Sequence, residues 1–204
     1  MWYKPKAGGE VERREIEIKL ALRGPRSRFV ARLRNLGASL ELPRHLEDNF
    51  LLDVADRRMS RAQSILRVRL TRLGAVLTLK GPSRVIQGMK CRDELETGCS
   101  DGETLLKILD RLGMRCGFRY QKYRTLYRLG SVHIALDETP IGTYIEIEGT
   151  SRGIERLSKR LGFDREDFIT ETYHDLFVAY KRANGIRARH MLFGIPQAHG
   201  YGLP

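Results

Sequence analysis

The chain has 204 residues, 41% hydrophobic and 30% charged, the size and composition of one globular domain with a substantial core. No apolar run approaches the ~18–20 residues needed to cross a membrane, and the opening Met-Trp-Tyr-Lys-Pro-Lys-Ala-Gly-Gly lacks the apolar core of a secretory signal, so a cytoplasmic location is expected. A net charge of +12 points to anionic partners, while Cys91, Cys99 and Cys116, odd in number and without a CxxC pair, argue against a disulfide framework or a zinc site.

Residues 1–11 and 185–204 are expected as tails around a single domain over 12–184. The first strand is expected at about 12–22 and carries Glu15-Ile-Glu17-Ile-Lys19. A helix follows at 26–36, with Phe29, Val30, Leu33 and Leu36 on one face and Gly37 as its stop. Strands are expected at about 46–54, 64–73, 75–81 and 89–98. The last three contain Arg67-Val-Arg69, Thr78-Leu-Lys80 and Arg92-Asp-Glu94-Leu-Glu96. Ser100 to Glu103 reads as a capping box for a helix at 101–112 that stops at Gly113. Three more strands are expected at 118–129, 131–138 and 142–149, carrying Lys122-Tyr-Arg124, Ala135-Leu-Asp137 and Glu146-Ile-Glu148. Ser151 precedes a helix at 152–161 that stops at Gly162, and Thr172 introduces a last helix at about 172–183. Turns are expected at Arg72-Leu-Gly74, Arg128-Leu-Gly130-Ser131 and Pro140-Ile-Gly142. About eight mostly antiparallel strands with helices between some of them make an α+β pattern.

A spacing of two is the period of a strand, so seven of these segments put charge on one face and apolar side chains on the other. The apolar faces match the stripes of the expected helices. The charged faces then either form the wet side of an open sheet or line the lumen of a closed barrel. Charges of both signs inside a barrel are tolerable when they pair with one another or hold a metal and a polyanion.

Glu15-Ile-Glu17-Ile-Lys19 resembles the ExExK signature of the CYTH superfamily, the triphosphate tunnel metalloenzymes. Glu47-Asp48-Asn-Phe50, Leu66-Arg-Val-Arg69, Leu77-Thr-Leu-Lys80, Lys90-Cys-Arg-Asp-Glu94, Lys122-Tyr-Arg124, Ala135-Leu-Asp137 and Gly142 through Glu148 fall in that family's order. The ending Ile169 through Leu176 is similar to the class IV cyclase-like branch, and the resemblance spans about residues 12–182. It implies a closed eight-stranded antiparallel barrel, the triphosphate tunnel, with helices packed outside. It also implies a triphosphate-bearing substrate (tripolyphosphate, ATP or thiamine triphosphate) and Mg²⁺, or Mn²⁺, as cofactor.

On this resemblance, Lys19, Arg67, Arg69, Lys80, Arg92, Lys122 and Arg124 are the expected phosphate contacts, the arginines offering forked donors. Glu15, Glu17, Asp137, Glu146 and Glu148 are the expected metal ligands, because Mg²⁺ favours carboxylates combined with phosphate oxygens and water. Glu17, Lys80 and Glu148 are the expected catalytic residues, with Glu94 and Glu96 as ligands or as orienting partners of arginines.

Metal-dependent hydrolysis of a triphosphate is the leading expectation. The alternative is a class IV adenylate cyclase, in which the ribose 3′-hydroxyl of ATP attacks the α-phosphorus and pyrophosphate leaves. A non-enzymatic tunnel or surface that binds polyphosphate or RNA also fits the charge, but the carboxylate pairs argue against it, since they repel phosphate unless a metal intervenes, and nucleic acid is not the expected partner. Family cyclases pair, so a homodimer is a further expectation. His45, His133, His174, His190 and His199 show no metal-ligand spacing and are expected as surface or structural residues. No glycine-rich loop ending in Lys-Ser or Lys-Thr is present, which leaves P-loop chemistry unsupported.

Overall fold

The structure is a computed structural model and describes residues 13–194. In chain order the described elements are β1 (Arg13–Ala21), α1 (Arg26–Asn35), β2 (Ser39–Asp53), α2 (Arg58–Arg61), β3 (Ile65–Thr71), β4 (Gly74–Lys80), β5 (Arg84–Ile86) and β6 (Met89–Cys99). They continue with α3 (Gly102–Arg111), β7 (Arg115–Leu129), β8 (Val132–Thr139), β9 (Gly142–Glu148), α4 (Ser151–Arg160) and α5 (Tyr173–Asn184). A short 3-10 turn at Arg165–Asp167 lies between α4 and α5.

Hydrogen bonding runs β1-β9-β8-β7-β2-β3-β4-β6, and β6 pairs back onto β1, so eight antiparallel strands close into a barrel. β5 extends the line of β4 and pairs with β6 alone among the described strands. Closure removes the edges that an open sheet would leave unpaired. The three expected hairpin turns join β3 to β4, β7 to β8 and β8 to β9. At the first of them Gly74 has a φ of +128°, and a Cβ there would come within 2.9 Å of the Cys99 carbonyl oxygen.

The outward apolar residues pack under the helices. Ile18, Leu20, Ile134, Leu136, Ile145 and Ile147 form one cluster with Phe29 and Leu33 of α1 and Ile154 and Leu157 of α4. Burying each such side chain contributes about 1.5–3 kcal/mol. Leu52, Val68 and Ala75 meet Leu105, Leu106 and Leu109 of α3. At this contact a Cβ on Gly102 would lie 2.3 Å from a Leu70 methyl, so the start of α3 needs glycine to approach the β3–β4 hairpin. Phe118, Tyr120, Ile141 and Tyr144 pack with Tyr173 and Phe177 of α5.

Several boundaries differ from the sequence expectation. β2 begins at Ser39, where an irregular ladder with register shifts around Leu42 carries it along β7 past Pro43. α3 is capped by Asp101, whose carboxylate accepts from the Thr104 amide at 2.9 Å, and Ser100 lies outside the helix. α4 is capped by Thr150, with Ser151 as its first residue. Thr172 caps α5 as expected, with Asp175 closing a capping box. α2 and β5, each of three or four residues, carry no readable periodicity. Of the segment expected as a C-terminal tail, residues 185–194 are described. Met191 is fully buried there, with its amide bonded to the Arg119 carbonyl at 3.0 Å and its carbonyl accepting from the Gln121 amide at 2.8 Å. Residues 1–12 and 195–204, the latter including His199, lie outside the described residues.

Candidate active site

Strand alternation and barrel closure bring the charged faces into one cavity of about 200 Å³. Glu15, Glu17, Lys19, Arg67, Arg69, Lys80, Arg92, Lys122, Arg124, Glu146 and Glu148 all line it. Asp137 does not line it and is fully buried behind the wall. Lys90, Glu94, Glu96, Tyr120, His133 and the first residues of α5, Thr172 to His174, complete much of the remaining lining.

One sector is a set of fixed cations. Lys122 Nζ donates to Asp137 Oδ2 at 2.7 Å, and Arg124 donates to both Asp137 oxygens at 2.6 and 2.5 Å. The Tyr173 hydroxyl adds a 2.7 Å bond to Asp137 Oδ2, so this carboxylate is saturated by three donating side chains. That geometry makes Asp137 an anchor for Lys122 and Arg124, set behind the cavity wall where the expectation placed a ligand. Glu146 is similarly engaged by Arg124 and by Lys19 at 3.4 Å. Burial works to raise the Glu146 carboxyl, but Lys122, Arg124 and Lys19 outweigh it and hold the group well below the usual range.

A second sector is an ordered row across β3, β4 and β6. Arg67 donates to the Thr78 hydroxyl at 3.1 Å and to Glu96 at 3.3 Å, and Thr78 donates to Glu96 at 2.7 Å. Burial again opposes ionisation of Glu96, and Arg67 and Thr78 overcome it. Lys80 is bonded to Glu94. Arg69 reaches Asn49 at 3.1 Å and Glu47 at 3.3 Å. Glu47 is itself buried, and Arg69, Arg124 and Lys122 keep it ionised against that burial.

The remaining wall brings carboxylates together. Glu17 and Glu148 stand directly opposite each other on β1 and β9, a like-charge cross-strand pair. Glu15 lies one step along, and burial together with Glu148 and Glu94 pushes its carboxyl up to about 8. Glu15 faces Arg92 in the β1–β6 ladder, and Glu17 faces Lys90. Lys90 and Arg92 form no hydrogen bond or ion pair within 4.0 Å to a described residue, and the buried Nε of Arg92 has no partner. Burial, with Lys19 and Arg92 nearby and only partly offset by Glu17, lowers the Lys90 ammonium from the ordinary lysine range.

The donor set suits a hard divalent cation that arrives with phosphate. No group of three or more His, Cys, Asp or Glu side chains among the described residues is close enough to hold a metal ion by itself. Mg²⁺ characteristically takes one or two protein carboxylates and fills its octahedron with phosphate oxygens and water. Glu17 and Glu148, with Glu15 beside them, offer that number of ligands.

Sequence reasoning missed some of the lining. Lys90 lies two residues before Arg92 and shares its strand face, so the period that marked Arg92 could have found it. His133 and His174 reach the cavity, although no spacing marked either one. Tyr173 lies in the ending that resembles the class IV cyclase-like branch, but no period placed it at the cavity. Its ring lies 4.6 Å from Lys19 Nζ and 5.0 Å from Lys122 Nζ, contacts that exist because α5 docks onto the barrel.

A family model described as CYTH domain matches residues 13–173. A solved structure of a protein from Pyrococcus horikoshii OT3 is 25% identical with a TM-score of 0.67, over 81% of this chain and 98% of that one. A Vibrio parahaemolyticus protein described as a candidate adenylate cyclase aligns at TM-score 0.73 and 15% identity, over 82% of this chain and 99% of that one. A Hippeastrum protein named as a candidate adenylyl cyclase, and described as having a dominant triphosphatase activity, aligns at TM-score 0.59 and 22% identity, over 81% and 95%. Among curated proteins, none matches the chain at a significant level.

Proposed function

Because the chain belongs to the CYTH domain family, whose model covers most of its length, we propose that it is a divalent-metal-dependent enzyme that hydrolyses a triphosphate inside the barrel. The observation that carries this reading is the division of the cavity wall. Lys90 and Arg92 form no ion pair within 4.0 Å to a described residue, and they stand across the β1–β6 ladder from Glu17 and Glu15, whose carboxylates lie beside Glu148. A triphosphate chain would satisfy the first pair, and a divalent cation would relieve the second group.

Glu17 and Glu148 would hold the metal together with phosphate oxygens and water, with Glu15 beside them and Glu146 adjacent but already engaged by Arg124 and Lys19. A bound Mg²⁺ or Mn²⁺ supplies neutralisation of phosphate charge and a water of lowered pKa. Lys90, Arg92, Arg67 and Arg69 bind non-bridging oxygens, while Lys19, Lys122 and Arg124 hold the part of the chain beneath Tyr173. Asp137 acts as their anchor, since two hydrogen bonds from Arg124 and one from Lys122 fix both heads before any substrate arrives. Lys80 Nζ, oriented by Glu94, donates to an oxygen of the departing phosphate and so stabilises the charge that develops there.

Hydrolysis asks of the site only what its wall supplies, cations for a triphosphate chain and carboxylates for a metal. Cyclisation would also need contacts to ribose and base, and the names of two structural neighbours keep that reaction as the second reading.

Product analysis with tripolyphosphate, ATP and thiamine triphosphate side by side, each with Mg²⁺ or Mn²⁺, tests the proposal. Metal-dependent release of inorganic phosphate without cyclic AMP is expected. Cyclic AMP and pyrophosphate from ATP would replace hydrolysis by cyclisation, and no product from any substrate would overturn both.

A further inference from the structure

Outside the barrel, α1 and α4 carry Arg26, Arg28, Arg32, Arg34, Arg152, Arg156, Lys159 and Arg160 against a single carboxylate, Glu155. All eight cations are exposed. The two helices meet across one apolar cluster through Phe29, Leu33, Ile154 and Leu157. Arg32 crosses the seam to donate to the Arg160 carbonyl at 2.5 Å, so the two rows of charge are continuous. Glu155 is held by Arg165, and Arg26 by Glu138, but Arg28, Arg34, Arg152, Arg156, Lys159 and Arg160 form no ion pair with a described residue.

With Arg32 bonded only to a carbonyl, seven of the eight cations lack an ion pair to a described residue; they cost self-repulsion, and the barrel core beneath needs none of them. We propose that this face binds the phosphate backbone of a double-stranded nucleic acid, independently of the reaction in the tunnel. Arg152, Arg156 and Arg160 recur every four residues, a rise of about 6 Å each along one side of α4. That spacing matches successive phosphates of a nucleic-acid strand more closely than the denser charge of inorganic polyphosphate. Arginine forks suit such oxygens. The exposed residues of α1 and α4 include no aromatic side chain, so the stacking that holds single strands is missing. They also include no large apolar side chain to enter a bilayer, which disfavours a membrane surface.

Fluorescence anisotropy with a labelled duplex of about 20 base pairs, over a salt series, tests this. The wild-type chain should bind with micromolar affinity, and the combined substitution Arg28→Gln, Arg156→Gln, Lys159→Gln and Arg160→Gln should weaken binding at least tenfold and flatten the log–log salt slope by about 3. Arg156→Glu alone, at an exposed position, should weaken binding in the same direction and guards against misfolding of the multiple variant. Lys90→Ala with Arg92→Ala, which alters only the tunnel, should leave duplex binding unchanged. Full binding by the quadruple variant, loss of binding in the tunnel variant, or preference for vesicles containing phosphatidylglycerol over the duplex would each overturn the proposal.

Discussion

Lys122 donates to Asp137 over 2.7 Å with side chains only 2% and 0% exposed, an ion pair sealed inside the barrel wall. Removing one charge of such a pair leaves the other uncompensated, at a cost of about 3–5 kcal/mol. Asp137→Asn keeps the size of the side chain but should lower the unfolding free energy by up to that amount, read as an earlier denaturant midpoint. It should also raise KM, because Lys122 and Arg124 lose their shared anchor. An Asn variant with wild-type stability and kinetics would remove the anchor role.

Glu17 and Glu148 should behave in the opposite way. Glu17 faces the like charge of Glu148 across the β1–β9 ladder, so Glu17→Gln should cost little stability, and in both Glu17→Gln and Glu148→Gln the main loss should fall on catalysis. Turnover should fall by about 100-fold or more, since even partners of metal ligands commonly account for 10–100-fold. Thermal unfolding together with metal-titrated phosphate release checks both halves. Full activity in either variant removes that carboxylate from the mechanism.

Lys90 and Arg92 make no hydrogen bond or ion pair within 4.0 Å to a described residue, so Lys90→Ala or Arg92→Ala should cost the fold little. The loss should appear in substrate affinity. A hydrogen bond to a charged group contributes about 1.5–3 kcal/mol, which corresponds to a roughly 10–100-fold weaker tripolyphosphate Kd. Isothermal titration of each variant gives the answer, and unchanged affinity would exclude the residue from the site.

Acid sensitivity should trace in part to Glu47. Its carboxyl is held well below the ordinary value of 4.5 in the folded chain by Arg69, Arg124 and Lys122, despite burial. The unfolded chain therefore binds the proton first as pH falls. The stability from Glu47 is complete above about pH 5, declines as pH drops below 4.5, and is gone once pH passes the folded value. Urea unfolding from pH 7 to 3 should show this slope, and Glu47→Gln should flatten it.

Much of the site was legible from a spacing of two. Glu15, Glu17 and Lys19 share a face for the same geometric reason as Arg67 and Arg69 or Glu146 and Glu148, and every expected lining residue except Asp137 reaches the cavity. Asp137 shows the limit of that reasoning. Alternation places it on the inner face of β8, but α5 covers it with Tyr173 and closes it off as an ion-pair anchor. Lys90 is equally readable by period, two residues before Arg92 on the same strand face. The early start of β2 escaped because Pro43 and shifts in register interrupt the alternation there.

By itself the sequence determined which residues share a face, where helices stop, and that charges of both signs lie together, because these depend on local backbone geometry. Only the tertiary structure decided which charges neutralise one another. Pairing of β1 with both β6 and β9 sets Glu15 against Arg92 and Glu17 against Glu148, while β8 and α5 close on Lys122 and Arg124 from the other side. Barrel register joins strands far apart in sequence, so it selects the cations and carboxylates that remain for a ligand, and no local period encodes that selection.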